Sequence, residues 1–126
     1  MDKYVDGFVL VVSADKADEY KKMAIMGRDS WMKHGALSYY ECRANDLTQQ
    51  EMGNESTRAF NEMAGAKNGE DVWFSFIVFK SKEHRDEVNA KVMEDMGEMQ
   101  SPAEPMPFDM TRMAYGGFAV EVEGQL

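Results

Sequence analysis

The stretch that most constrains this chain is Val72-Trp73-Phe74-Ser75-Phe76-Ile77-Val78-Phe79. Aromatic and β-branched residues fill it almost without a break, which is how a strand covered on both faces reads. It ends at Lys80, where Ser81 offers an N-cap and Glu83 an acidic first turn to a following helix. Tyr4 to Val12 has the same double character. Tyr4, Asp6, Phe8, Leu10 and Val12 point one way, and Val5, Gly7, Val9 and Val11 the other. Helices on one side of a sheet cannot cover both faces of two such strands, so something else must cover the second face.

Around these strands the periodicity predicts two main helices and two further strands. The first helix starts at Ser13 or Asp15 and runs to about His34. Its inward stripe is Ala17, Tyr20, Ala24, Gly27 and Trp31, and Gly35 closes it. Ala36 to Arg43 reads as a more polar strand, suited to a sheet edge. Residues 44–70 are polar and long for a structureless loop; a short helix over Thr57 to Met63, anchored by Phe60, would break them up. The second main helix runs from about Lys82 to Met96, with Val88 and Val92 inward and Gly97 as its stop. Residues 98–109 carry Pro102, Pro105 and Pro107 and read as an irregular connection, followed by a strand over Arg112 to Glu123.

The order β-α-β-β-α-β defines an α+β, ferredoxin-like fold: one domain over 1–126, a four-stranded antiparallel sheet and two helices on one face. Right-handed connections put the two oily strands in the centre. The opposite face then shows Trp73 or Phe74, Phe8 or Val9, and tyrosines. An apolar surface of that size is an interface, and a twofold homodimer packed sheet against sheet is the expected partner.

Composition excludes more than it identifies. The longest apolar run falls far short of a membrane span. Met1-Asp2-Lys3-Tyr4 lacks the basic and apolar regions of a secretory leader. A single cysteine, Cys42, excludes an internal disulfide and suits a reducing cytoplasm, the expected location. A net charge of −9 argues against a nucleic-acid partner or an anionic membrane surface. No Gly-rich phosphate loop, nucleophile elbow or dinucleotide fingerprint is present, so no cofactor is expected. Two histidines, without His-x-x-x-His or Cys-x-x-Cys spacing, predict no metal site.

Several side chains remain as candidates. Asp6 stands on an apolar strand face, where a carboxylate is paired or has its pKa raised; Arg112, Arg43 or Tyr115 are the expected partners. Glu41 and Arg43 share one face of the second strand and could line a small polar pocket with it. The competing reading puts Asp6 near the sheet end in an ordinary salt bridge. His34, at a helix C-terminus, is a base or pH-sensitive contact, or else a plain cap. His84, in the first turn of the second main helix, is a ligand contact or a packed, hydrogen-bonded ring. Trp31 and Trp73 could wall an apolar pocket. In Met106 to Arg112, Pro107 fixes the chain, Phe108 can plug a pocket, and Asp109 and Arg112 can pair across a turn. Cys42 reads as a buried, inert thiol. The twelve methionines read as packing, and Gly7 with Gly116-Gly117 as sites of close approach.

Several stretches resemble the DUF1428 family: Tyr4 to Leu10, Trp31 to Leu37, Tyr40-Glu41-Cys42, Phe79 to Asp86, Val88 to Met93, Met106 to Asp109 and Arg112 to Phe118. The resemblance spans nearly the whole chain and is weakest over 44–64. It implies a dimeric α/β barrel and brings no reaction with it. Within that superfamily it suggests comparison with cofactor-free monooxygenases and isomerases acting on flat aromatic substrates. For such an enzyme, Asp6, Trp31, Trp73, His84 and Tyr115 would share one pocket. The principal expectation is a small cytoplasmic homodimer that binds an apolar or aromatic ligand in the sheet–helix cleft. An enzyme of the superfamily type and a structural or stress-related protein without a ligand are the alternatives.

Overall fold

The computed structural model describes residues 2–99 and 106–126. In chain order the elements are β1 (Tyr4–Ser13), a 3-10 turn (Ala14–Lys16), α1 (Ala17–Lys33), β2 (Ser38–Arg43), β3 (Glu51–Met52), β4 (Glu55–Ser56), α2 (Phe60–Ala64), β5 (Glu70–Phe79), α3 (Lys82–Met99), a 3-10 turn (Met110–Arg112) and β6 (Ala114–Ala119). The architecture is α+β, with a four-stranded antiparallel sheet and three helices. The sheet order is β2-β5-β1-β6, which sets the two oily strands in the centre.

Register fixes which side chains share a face. Asp6 stands opposite Ile77, Phe8 opposite Ser75 and Leu10 opposite Trp73, and β2 adds Tyr39, Glu41 and Arg43 beside these. This is the face that α1 and α3 cover. Leu10, Val12 and Trp73 pack with Ala17, Tyr20 and Ala24 of α1. Ile77 and Phe79 pack with Ala36 and with Val88 and Val92 of α3. Burying side chains of this size contributes about 1.5–3 kcal/mol each, which is why the stripe outweighs weak helix propensity.

The opposite face holds Val5, Gly7 and Val9, with Phe74, Phe76 and Val78, Tyr40 and Cys42, and Ala114, Gly116 and Phe118. At one end it is covered: Val11 and Val72 are buried, and α2 reaches both β1 and β5. Over the rest, Phe74, Tyr40 and Phe118 are 43%, 53% and 61% exposed. Trp73 and Phe8 belong to the helix-covered face instead, because the register puts them in line with Leu10 and Ser75.

Several boundaries differ from expectation for local reasons. Residues 44–70 contain a β3–β4 hairpin turned at Gly53 (φ 68°) as well as α2 over Phe60–Ala64, whose Phe60 is 44% exposed. The hairpin was missed because its strands are two residues each, too short to show alternation. Gly97 does not stop α3, which continues to Met99. Arg112 lies in a 3-10 turn, and the last strand is only Ala114–Ala119. Asp109 causes that turn by accepting a bond from the Thr111 amide at 2.9 Å. Cys42 is exposed, since it faces the uncovered side of an edge strand. Pro102 and Pro105 lie outside the described residues. Where a glycine was read as a close approach, the geometry agrees. A Cβ on Gly117 would lie 2.7 Å from the Tyr4 ring, which occupies that space.

Candidate functional site

Two carboxylates stand in adjacent rows of the helix-covered face, Asp6 on β1 and Glu41 on β2. Asp6 is 1% exposed. Of the three expected residues Tyr115 stands in its cluster, but the direct bonds come from two others. Arg85, in the first turns of α3, reaches back over the sheet and donates from Nη1 to Asp6 Oδ1 at 2.7 Å. Asn89, one helical turn later, donates from Nδ2 to Asp6 Oδ2 at 3.2 Å. The arginine is sandwiched by Tyr4, 4.9 Å from its guanidinium carbon, and donates to the Tyr115 hydroxyl at 3.1 Å. Burial, and then the Asp6 charge, push the Tyr115 hydroxyl pKa up. Trp31 closes the network by donating Nε1–H to Asn89 Oδ1 at 2.9 Å. Asp6, Trp31 and Tyr115 are thus brought together, but by Arg85 and Asn89, and the carboxylate is sealed.

Glu41 has a different environment. Tyr20 of α1 donates to Oε1 and Tyr39 of β2 donates to Oε2, both at 2.8 Å. Burial raises both phenol pKa values, and the Glu41 charge raises them further. The two phenol protons thus both point to the carboxylate. Gly27 makes the arrangement fit: a Cβ there would stand 2.8 Å from the Tyr39 oxygen.

Glu41 and Tyr39 form the wall between two hollows. An open groove of about 450 Å³ lies outside, with Lys21, Arg28, Arg43 and Trp73 on its sides. Between sheet and helices lies a cavity of about 210 Å³. Apolar side chains dominate it: Phe8, Leu10, Met23, Trp31, Ile77 and Phe108. Phe108 also meets Tyr20 edge-on, with ring centroids 5.9 Å apart.

The other candidates lie elsewhere. Trp73 packs on Tyr20 at 4.8 Å and lines the outer groove, its indole N–H without a partner among the described residues. His34 Nε2 meets Asp95 Oδ2 at 2.6 Å, joining α1 to α3, and that bond holds the Asp95 carboxyl below its usual pKa. The His84 ring packs on Phe79, and its Nδ1 accepts from the Lys80 amide at 2.9 Å. Neither histidine lines the groove or the cavity. Asp109 and Arg112 do pair, at 2.8 Å. Arg112 also grips both Glu70 oxygens at 2.7 Å and the Gly65 carbonyl at 2.9 Å, and its bonds hold the Glu70 carboxyl down to about 2. That cluster ties α2 to the sheet. Of the five residues expected in one enzyme pocket, Asp6, Trp31 and Tyr115 share one network, whereas Trp73 and His84 lie apart from it. The sequence reading noticed Glu41 and Tyr20 separately; Tyr39, Arg85 and Asn89 it missed. The spacing of Arg85 and Asn89, one turn apart towards the sheet, is the signal that could have found them.

The fold and cavity define a small α+β protein with an apolar cleft between sheet and helices. The chain belongs to DUF1428, described as a protein family of unknown function, whose model matches residues 3–110. It is 43% identical to the uncharacterized protein YbaA of Escherichia coli (strain K12) over 92% of this chain and 94% of that one. The same figures hold for the YbaA protein of Shigella flexneri. Among solved structures, a chain of the B. subtilis GlnK–ATP complex matches at 13% identity. That match covers 94% of this chain and 84% of that one, with a TM-score of 0.34, a likeness too loose to bear on fold or function. Among the described residues, no helix is long and apolar enough to cross a membrane.

Proposed function

We propose that this protein is a small cytoplasmic homodimer that binds a compact apolar or aromatic ligand in the cleft between sheet and helices. The observation that carries the ligand reading is the 210 Å³ cavity with a carboxylate in its wall. Apolar lining with a few convergent polar groups is the usual make-up of a small-molecule site. The volume suits one ring: a cavity of about 150 Å³ lined by similar side chains takes up benzene.

Without the β3–β4 hairpin and α2, the element order is βαββαβ, and we read the fold as ferredoxin-like, paired into a dimeric α/β barrel. Supporting the pairing is the uncovered sheet face. It forms a hollow of about 620 Å³ whose sides include Val5, Val9, Phe74, Phe76 and Phe118. Tyr40 stacks on Phe76 at 5.0 Å beside it. No charged side chain stands on this face between Val5 and Val9 or on the residues paired with them. For a chain of net charge −9, that is the surface on which a second copy meets no repulsion.

The ligand reading is tested by titrating single-ring aromatic fragments into the labelled protein and following the Trp31 indole N–H by NMR. Saturable shifts of that resonance are expected, and a fragment set that leaves it unmoved overturns the reading. The dimer is tested separately by sedimentation of wild type and Phe118→Asp. A dimer that the substitution splits is expected; a monomeric wild type overturns it.

A further inference from the structure

We propose that the cavity selects ligands whose polar end donates hydrogen bonds, phenols and above all protonated amines on a single ring, and that Glu41 is the residue that reads that end. This rests on the reading of the cleft as a ligand site.

The inference comes from counting donors and acceptors on the cavity wall. Glu41 as a carboxylate only accepts, with room for about four bonds across its two oxygens. Tyr20 and Tyr39 fill two of these, one on each oxygen. In doing so each tyrosine commits its only proton to Glu41, so towards a ligand each hydroxyl can only accept. Ser75, 4% exposed, also lines the cavity, and its hydroxyl can donate or accept. The Trp31 indole N–H is occupied by Asn89. Of the polar side chains on the wall, Glu41, Tyr20 and Tyr39 therefore offer lone pairs and no free proton, and only the Ser75 hydroxyl can serve either way.

The charge count points the same way. Among the described residues, no lysine, arginine or histidine lines the cavity. The cations near Glu41, Lys21, Arg28 and Arg43, all lie on the outer groove, on the other side of the wall, and Arg43 is held by Asp71 at 2.5 Å. Residues 100–105, Gln-Ser-Pro-Ala-Glu-Pro, contain no cationic side chain. A carboxylate in an apolar wall with only neutral partners attracts a cation or a donor, and repels an acid. Asp6, one row away, lacks this property because Arg85 and Asn89 already occupy it.

The test compares four probes of one size and different ends: benzylamine, phenol, toluene and benzoate. Each is titrated into the full-length protein at neutral pH, with the Trp31 indole resonance as the reporter of site. Benzylamine is expected to bind at least tenfold more tightly than toluene, phenol to fall between them, and benzoate to bind more weakly than toluene. In Glu41→Gln, with its melting temperature checked against wild type, the gap between benzylamine and toluene should shrink to about threefold or less. Benzoate binding as well as benzylamine, or an unchanged ranking in Glu41→Gln, overturns the selectivity while leaving the cleft a site. Failure of toluene and all the others to shift Trp31 overturns the cleft reading and this inference together. The wild-type ranking decides the matter on its own if the variant does not fold.

Discussion

Asp6 and Glu41 are two carboxylates under the same pair of helices, on strands β1 and β2 that flank β5 on one sheet face, yet their surroundings give them opposite characters. Asp6 meets a guanidinium and an amide, and is closed off by the Tyr4 and Tyr115 rings. Its charge is met by the Arg85 guanidinium, so it holds α3 to β1. Glu41 meets two phenols, which supply hydrogen bonds but no charge, and it borders both a groove and a cavity. A buried carboxylate with a cationic partner is part of the framework, whereas one held only by neutral donors still has an unspent attraction for something positive. The identity of the partner, more than burial, separates the two.

The sharpest way to break this comparison is to remove the cation from the first pair. Arg85→Met leaves Asp6 charged and buried with only Asn89 to hold it. Losing one partner of a buried pair costs about 3–5 kcal/mol, and that loss is expected by urea denaturation. Adding Asp6→Asn to the same chain should recover much of it, because the orphaned charge causes most of the damage. A loss below about 1 kcal/mol in Arg85→Met would mean that Asp6 is neutral in the folded protein, and the contrast with Glu41 would disappear.

A smaller effect is expected at the second carboxylate. Tyr20→Phe removes one bond to a charged acceptor, worth about 1.5–3 kcal/mol. It also changes the alkaline limb. Burial and Glu41 raise the Tyr20 pKa above its unfolded value of 10.0. The unfolded chain therefore releases that proton first as pH rises past 10, and the folded chain keeps it. Fewer protons on the unfolded state mean that stability falls with pH, by about 1.4 kcal/mol per pH unit for each such tyrosine until the folded group titrates too. Below pH 10 the contribution is fully present. Denaturation at pH 9 and pH 11 should show a shallower decline in Tyr20→Phe than in wild type. Equal slopes would place the Tyr20 proton in solvent contact and undo the picture of a buried phenol committed to Glu41.

How much of this was legible beforehand follows from the range over which each interaction acts. The sheet centre was legible because eight consecutive residues, Val72 to Phe79, are apolar or small, and only a strand with both faces occupied tolerates that. Asp6 was legible as an anomaly because it interrupts an apolar face at period two. Its partner was not, because Arg85 lies 79 residues away on a helix and reaches Asp6 only once α3 lies across β1. The expectation of Arg112, Arg43 or Tyr115 assumed that edge strands supply the cation, whereas Arg112 is taken by Glu70 and Arg43 by Asp71. At the other carboxylate, Glu41 was noticed for sharing a face with Arg43. Tyr20 belonged to the inward stripe of α1, but nothing in either pattern says that the two touch. Tyr39 was hidden by its own neighbour, since Tyr39-Tyr40 reads as a pair while the strand sends one ring inward and the other outward.

The smallest effect is the most discriminating for the Glu41 arrangement. Gly27 sits inside α1, where replacement by alanine ordinarily gains about 0.8–1.0 kcal/mol of helix propensity. Here the new methyl would stand 2.8 Å from the Tyr39 hydroxyl, too close for either to stay in place. The tyrosine must swing away and give up its bond to Glu41, which forfeits a charged hydrogen bond of comparable or larger size. Gly27→Ala is therefore expected to leave stability within about 1 kcal/mol of wild type, with no gain, and to lower the alkaline sensitivity that Tyr39 contributes. A variant stabilised by the full propensity term, with its high-pH limb unchanged, would show that Tyr39 never depended on the gap. The hydroxyl could then reach Glu41 by another path, and the two-phenol cradle would be a looser structure than the distances indicate.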